Sequence, residues 1–256
     1  MKNYNKTLKQ LGITYLGTFK AVNFKINKSL KESKVLTYAL SLAPANESGY
    51  NVCPFATTEC KAVCLASSGN GGMYTNVHKS RIKKTKLFFE NRNLFFELLI
   101  HELTLGVKKA NVMGLKFAVR LNVLSDINWN VYKHNGKTIF EHFPNVQFYD
   151  YTKIPKKFDN IPSNYHLTFS YTGYNVQTCE NLLERGFNIA VVFNIKNASQ
   201  LPAEFLGYPV INGDLTDYRP NDKKGTVVGL KFKKLTGKGK NNEKLVNENS
   251  KFVVPV

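Results

Sequence analysis

The sequence predicts an α/β protein in which alternating βα units form a partial or complete TIM-like barrel. Three observations support this fold class. Short segments rich in β-branched and aromatic residues recur along the chain, and segments with helical spacing of apolar residues separate them. Several of the strands are also apolar at successive positions, as in IAVVF at 189–193. Continuous apolar strands are typical of a parallel sheet that is covered on both faces.

Seven strands and three helical regions are predicted. The strands are expected at 34–43, 116–123, 146–152, 165–172, 187–195, 208–213 and 226–232. Apolar residues at helical spacing between 73 and 110 predict one long helix or two consecutive helices. Further helices are expected at 175–186 and 197–207, each preceded or closed by helix-terminating residues.

The domain organisation predicted is a single α/β domain over 29–256, preceded by an N-terminal extension over 1–28. The apolar content of 43% is sufficient for a continuous core, and no Pro- or Ser-rich linker divides the chain.

Composition points to an anionic partner. Lys and Arg total 36 against 18 Asp and Glu, so the formal net charge is +18 and the surface attracts polyanions such as nucleic acid or nucleotides. The excess is nearly all lysine, which an AT-rich coding sequence also produces, so charge alone does not decide the partner. The N-terminus lacks a signal-peptide core, and no run approaches the ~20 apolar residues of a membrane span. We therefore expect a cytoplasmic protein without a membrane partner.

Three of the four cysteines lie in the segment NVCPFATTECKAVCLASSGNG at 51–71, directly after the first predicted strand. In a reducing compartment, clustered cysteines are more often metal ligands or redox groups than disulfides. Cys53, Cys60 and Cys64 are therefore the predicted metal ligands. A structural zinc needs a fourth ligand, which His78 or Cys179 is expected to supply, whereas a [4Fe-4S] cluster leaves one iron open. The alternative is that the three are small core residues.

Polar side chains gather at the carboxyl ends of the predicted strands, where α/β proteins place their sites. The candidates for binding a cofactor there are Arg120 and Asp126. Arg120 interrupts an apolar strand, so a buried charge pair is expected, with Asp126 as the nearby carboxylate. The candidate catalytic residues are Tyr151, Lys153, Asp214 and Asp217.

Two of these groups suggest particular chemistry. Tyr151 and Lys153 alternate along one strand and share a face, where the lysine is expected either to lower the pKa of the phenol or only to extend its ammonium group from the strand end into solvent. Asp214 and Asp217 are expected to bind a cation or a ribose, to act as acid and base, or to cap a helix.

An anion site is predicted next to the cysteines. Gly69 and Gly71 belong to the run SSGNGG, whose backbone amides and following helix favour negative charge. The alternative is that this run is only a flexible connection. Arg81 belongs to the basic stretch of that helix, which is either a phosphate-contacting face or a solvated one.

The placement of the cysteine loop after the first strand is similar to that in radical S-adenosylmethionine enzymes. In that family the three cysteines hold a [4Fe-4S] cluster whose open iron chelates the amino and carboxylate groups of S-adenosylmethionine. Their usual spacing is C-x3-C-x2-C, whereas this chain has C-x6-C-x3-C.

The motifs CPFATTECKAVCLASSGNG, VHKSRIKKTKLFF, RLNVLSDINW, FYDYTK, LTFSYTGYN and VINGDLTDYRPNDKKGTVVGLKFK, in this order, resemble the gene product 88 family of tailed phages and mobile elements. The resemblance runs from about Ser29 to the end of the sequence. It implies a phage or mobile-element protein in an infected or host bacterial cell, and it is consistent with a metal-binding cysteine loop. It assigns no reaction.

Two functions follow as hypotheses. The first is an iron-sulfur enzyme, similar to radical S-adenosylmethionine enzymes, that acts on nucleic acid or nucleotides. The second is a zinc-stabilised basic protein that binds nucleic acid during phage replication or host takeover. A metal-free interaction protein is the third alternative.

Overall fold

The computed structural model describes residues 3–19, 30, 32–68, 74–236 and 251–256 of the chain. The α-helices are α1 (Tyr4–Leu11), α2 (Thr58–Ala62), α3 (Thr75–Glu90), α4 (Arg92–Val112), α5 (Ile139–His142) and α6 (Val176–Glu184). The strands are β1 (Gly17–Thr18), β2 (Val35–Leu40), β3 (Lys116–Arg120), β4 (Gln147–Thr152), β5 (Tyr165–Ser170), β6 (Asn188–Phe193), β7 (Glu204–Phe205), β8 (Tyr208–Asn212), β9 (Val227–Lys231) and β10 (Val253–Val254).

The strands form one ten-stranded, mostly parallel sheet in the order β1-β2-β3-β4-β5-β6-β9-β8-β7, with β10 paired to β6. Only the short edge strands run antiparallel, β1 against β2 and β7 against β8. All seven predicted strands are present. Strands β1, β7 and β10 are additions to the prediction, because a strand of two residues carries no periodicity.

The sheet does not close into a barrel, which corrects the prediction of a TIM-like barrel. In such a barrel each strand neighbours the next along the chain, whereas here β9 lies between β6 and β8. Alternating strands and helices are common to barrels and open sheets, so the pattern predicted the parallel sheet but not its closure.

The long apolar segment before β3 forms two helices, α3 and α4, which meet at Asn91. The side chain of Asn91 accepts a hydrogen bond from the Leu94 N–H at 3.2 Å and so caps α4. The prediction of a helix at 197–207 is wrong. A single 3-10 turn (Ala198–Gln200) is followed by β7, since Pro202 lacks the N–H that a continuing helix needs.

The two faces of the sheet are covered differently. Helices α4 and α6 pack against β2, β3 and β6, and the main core on this side includes the fully buried Phe88, Phe95 and Trp129. On the other face Val35, Ala118, Tyr149 and Tyr218 form a separate cluster. Tyr218 belongs to the connection from β8 to β9, which therefore crosses this face.

The described part of the predicted N-terminal extension packs on the rest of the fold. Leu8, Ile13 and Leu16 are buried in the main core. The carboxylate of Glu102 in α4 accepts hydrogen bonds from the Tyr4 hydroxyl, from the Leu16 and Gly17 N–H groups at 2.8 and 2.9 Å, and from the Tyr38 hydroxyl. Among the described residues, no helix has the length and apolar character needed to cross a bilayer.

Candidate functional site: a cysteine-lined pocket

A pocket of about 230 Å³ opens at the carboxyl edge of the parallel sheet. It brings together eight of the predicted site residues from four separate parts of the sequence. They are Cys53, Cys60, Cys64, Arg120, Asp126, Tyr151, Lys153 and Asp217. The carboxyl ends of the strands thus meet at one edge, as the sequence analysis assumed, and bring these eight candidates into one cavity.

Local hydrogen bonds shape the cysteine loop. The Asn51 side chain accepts from the Cys53 N–H at 2.9 Å, and the Thr57 hydroxyl accepts from the Cys60 N–H at 3.1 Å, which caps α2. The Cys53 sulfur accepts from the Ala45 N–H at 3.4 Å and donates to the Leu124 carbonyl at 3.6 Å. These contacts fix the loop between β2 and the turn that follows β3.

Two of the three clustered thiols, Cys53 and Cys64, have a raised pKa and are protonated at neutral pH. Burial raises the pKa of the Cys53 thiol, and it raises the pKa of Cys64 to about 12. Each of the two also responds to the charge of Cys60, so the three sulfurs are neighbours. Nucleophilic and redox cysteines depend on a lowered pKa, so thiolate catalysis by Cys53 or Cys64 does not fit this environment. Metal ligation remains compatible, because a bound metal displaces the thiol protons.

The fit to a metal rests on donor chemistry. Three sulfur donors on one pocket wall suit zinc or an iron-sulfur cluster. Within the described residues, however, no three His, Cys, Asp or Glu side chains are arranged as a metal site. Neither expected fourth ligand lines the pocket. His78 pairs with Glu47 at 3.3 Å, and Cys179 is fully buried in α6. Metal binding by the cysteines thus stays a prediction.

Arg120 does form the buried ion pair that its strand position predicts, but its partner is Asp217. The guanidinium donates to both carboxylate oxygens of Asp217 at 2.8 and 2.9 Å. Burial is the largest single influence and disfavours the charge of Arg120. Asp217 together with Tyr151, Tyr149 and Asp150 more than offsets it, so the pKa of Arg120 lies above its usual value. The Tyr149 hydroxyl donates to the same carboxylate at 3.1 Å.

Asp126, the carboxylate expected beside Arg120, pairs instead with Lys157 at 2.7 Å. It also accepts from the Thr152 hydroxyl and the Lys153 N–H, both at 2.7 Å. This cluster holds the turn after β3 against the end of β4. Lys157 was not among the predicted site residues, because nothing in a lysine 31 positions away marks it as the partner of Asp126.

Tyr151 and Lys153 line the same pocket, as their alternation predicts. The prediction that the pKa of the Tyr151 phenol is lowered is wrong, since burial raises it to about 12. The cations that oppose this shift are Arg219 and Arg120. Lys153 points its ammonium group to the ring of Phe252, at 5.8 Å from the centroid.

Two further predicted site residues, Asp214 and Arg81, do not line the pocket. Asp214 accepts from the Lys231 N–H at 2.7 Å and so fixes the ends of β8 and β9 to each other. Asp214 and Asp217 therefore do not face one cation together. Arg81 in α3 is near Cys64, and its Nε and Nη1 atoms are buried without a hydrogen-bond partner among the described residues. Gly69 and Gly71 fall outside the described residues.

Asn122 lines the pocket and Asp150 is hydrogen-bonded to it. Neither was among the predicted site residues, and their position at strand ends was the signal of this role in the sequence. Asn122 Oδ1 accepts from the Ser125 hydroxyl, the Ile127 N–H and the indole N–H of Trp129. Asp150 accepts from the Asn122 N–H at 2.7 Å and from the Tyr165 hydroxyl at 2.9 Å. Burial raises the pKa of Asp150 to about 7.

The fold and the pocket define an α/β protein with a mostly parallel sheet and a cysteine-lined cavity at the carboxyl edge of that sheet. The sequence model of the family described as gene product 88 matches residues 3–249, so the chain belongs to the gene product 88 family. Searches of curated proteins and of solved structures each returned no match.

Proposed function

We propose that this chain is an iron-sulfur enzyme of radical S-adenosylmethionine-like character that acts on nucleic acid or nucleotides. The observation that carries the proposal is the shared pocket. Cys53, Cys60 and Cys64 line the same cavity as the strand-end residues Arg120 and Tyr151, at the edge where parallel α/β sheets bind ligands.

The proposed division of roles follows the position of each residue. Cys53, Cys60 and Cys64 would hold a [4Fe-4S] cluster, which, when bound together with S-adenosylmethionine, supplies one-electron radical chemistry. Arg81, close to Cys64, would balance the negative charge of the thiolates. Its two unpartnered nitrogen atoms are the kind of buried donors that a further acceptor would satisfy.

The remaining pocket residues would bind and orient the organic ligands. Arg120 is held rigidly by Asp217, and its guanidinium lies over the Tyr151 ring at 4.9 Å from the centroid. Lys153 adds a partly exposed cation on the same pocket wall. With a pKa of about 12, the Tyr151 phenol is protonated at neutral pH and can donate a hydrogen bond to a ligand.

Metal and sulfide analysis of anaerobically purified protein tests the proposal. We expect about four irons and about four acid-labile sulfides per chain, with broad visible absorbance. Changing Cys53, Cys60 or Cys64 to Ala should abolish both. Cys179→Ala is the matched control, because Cys179 is a cysteine of the core and lies away from the pocket. Failure of the wild-type chain to bind iron, or equal loss in the control, would reject the cluster.

The second candidate is a zinc-stabilised nucleic-acid-binding protein, which the net charge of +18 favours. The same analysis distinguishes it. One zinc per chain in a colourless protein, lost together with stability when Cys60 is changed, would support a structural metal and remove the enzyme proposal.

A further inference from the structure

The mouth of the cysteine-lined pocket combines positive charge with aromatic rings. Lys153, Lys231 and Lys233 line the pocket together with Phe232 and Phe252. Tyr174 and Lys251 adjoin it. The Tyr174 hydroxyl donates to Glu59 in α2 at 3.2 Å, and the Lys251 ammonium lies over the Tyr174 ring at 5.2 Å. We call this set of seven residues the basic rim.

The carboxylates of the pocket do not neutralise the basic rim. Asp217 is paired with Arg120, and Asp126 is paired with Lys157. Both carboxylates are almost fully buried. No ion pair within the described residues involves Lys153, Lys231 or Lys233. Two other carboxylates contact rim residues: Glu59 accepts from the Tyr174 hydroxyl and Asp214 from the Lys231 N–H, while the Lys231 ammonium donates to the Lys196 carbonyl. The rim is therefore a surface of positive charge around an opening at the sheet edge, which is the electrostatic requirement for a phosphate-bearing ligand.

Two of the exposed aromatic rings among the described residues, Tyr174 and Phe55, belong to segments that border this opening. Tyr174 is 62% exposed, and Phe55, two residues after Cys53, is 53% exposed. An exposed ring beside lysines favours unpaired bases, whose faces are free to stack, over duplex, whose bases are already stacked. The pocket volume of about 230 Å³ also admits part of one nucleotide rather than a double helix.

Local packing fixes Lys251 and Phe252 at this position. β10 pairs in parallel with the carboxyl end of β6, with Val253 opposite Val192. Gly173, with φ +84°, lets the Lys251 backbone approach so closely that a Cβ at position 173 would clash with the Lys251 carbonyl oxygen. The rim is thus a built surface, formed by the last residue of β9, the residues that follow β4, β5 and β9, and the two residues that precede β10.

We propose that the basic rim binds single-stranded nucleic acid, with phosphates on the lysines and a base stacked on Tyr174, so that one nucleotide enters the pocket. The proposal deepens the proposed function, since it specifies the substrate class at that pocket. Single-stranded DNA and RNA share this chemistry, and the test separates them.

Binding is measured by fluorescence anisotropy with labelled oligo-dT and oligo-rU of about 12 nucleotides and with a duplex of the same length. We expect at least one single strand to bind more tightly than the duplex. Tyr174→Ala should weaken that binding about fivefold or more because the base can no longer stack, while Tyr174→Phe, which keeps the ring, should bind like wild type.

Charge-reversal variants test whether binding depends on the lysines of the rim or only on the net positive charge of the chain. Lys251→Glu should weaken binding strongly and lower the magnitude of the salt slope by about 0.7 for each phosphate that the protein no longer neutralises. Lys108→Glu changes the net charge equally. Lys108 is an exposed residue near the end of α4, just before the amino end of β3, so this variant should bind nearly like wild type. Equal effects of the two reversals, equal binding of duplex, or Tyr174→Ala binding like wild type would overturn the proposal.

Iron content measured on the same preparations separates this proposal from the proposed function. If the protein retains iron but shows no preference for single strands, only the rim proposal is rejected. If the protein contains no iron but still binds single strands through Tyr174 and Lys251, only the proposal of an iron-sulfur cluster is rejected.

Discussion

Asp150 is a carboxyl group with no exposed surface, and two hydrogen bonds tie it to the loop after β3 and to β5. Its pKa of about 7 in the folded chain lies above the usual value of 3.8, because burial disfavours the charged form. The proton that it binds when folded makes stability depend on pH. A group with a raised folded pKa contributes stability that is complete below its unfolded pKa and is lost as the pH rises through its folded pKa.

Asp150→Asn is therefore expected to change the pH dependence of unfolding. Relative to this variant, wild-type protein should lose up to about 1.4 kcal/mol of unfolding free energy per pH unit between pH about 4 and about 7. Urea unfolding of both proteins across this window measures the difference. An Asn at 150 still accepts from the Asn122 N–H, so the two should unfold similarly at the acidic end. A difference that is constant with pH would contradict the assignment.

At the scale of single elements, Asn91 separates two helices that the sequence pattern left open as one or two. It follows the last residue of α3 and caps α4 through the Leu94 N–H, so one side chain sets where the second helix begins. Because α4 packs on β2 and β3, its start also fixes where the apolar face of the helix meets the sheet.

Replacing Asn91 by Ala should lower the unfolding free energy by about 1 kcal/mol, since the first turn of α4 loses its cap. Asn93→Ala is the control, because Asn93 is exposed in the same turn and an exposed substitution changes stability by less than about 0.5 kcal/mol. Chemical denaturation of the three proteins measures both values. Equal stability of Asn91→Ala and Asn93→Ala would show that the cap is not what begins α4.

At the scale of the whole molecule, Glu102 connects three layers. Its carboxylate joins α1 through Tyr4, the segment before β1 through the Leu16 N–H, and the sheet through Tyr38. A buried carboxylate that satisfies four donors is costly to remove, because those donors are then left unpaired. The first described residues are thereby an integral layer of the fold.

Glu102→Ala should release this layer before the sheet unfolds. We expect trypsin to cleave at Lys6 and Lys9 in α1 much faster than in wild type, because local opening exposes the helix. Glu97→Ala, an exposed position in the same helix α4, is the control and should digest like wild type. Mass spectrometry of early fragments identifies the sites, and protection of α1 in Glu102→Ala would contradict the role of the carboxylate.

The sequence predicted the strands of the fold better than the contacts within the site, for physical reasons. Strands of five or six residues were predictable because apolar and β-branched residues mark them, and the strand-end rule then grouped Arg120, Tyr151 and the cysteines. The ion-pair partners of these residues were not predictable. Arg120 and Asp217 are 97 positions apart, and only the path of the β8–β9 connection decides that they meet. Sheet closure was equally hidden, since it depends on the spatial order of strands and not on their pattern.

The pairing of β10 with β6 also has a consequence for how the protein is made. Phe252 lines the pocket whose other walls come from residues 53–233, so that opening is complete only after residue 252 has left the ribosome. At a synthesis rate of ~5–20 residues per second, the residues between 233 and 252 take about one to four seconds to be added. During that interval the nascent chain carries the three cysteines without the wall that Phe252 supplies, so they are more accessible than in the finished protein.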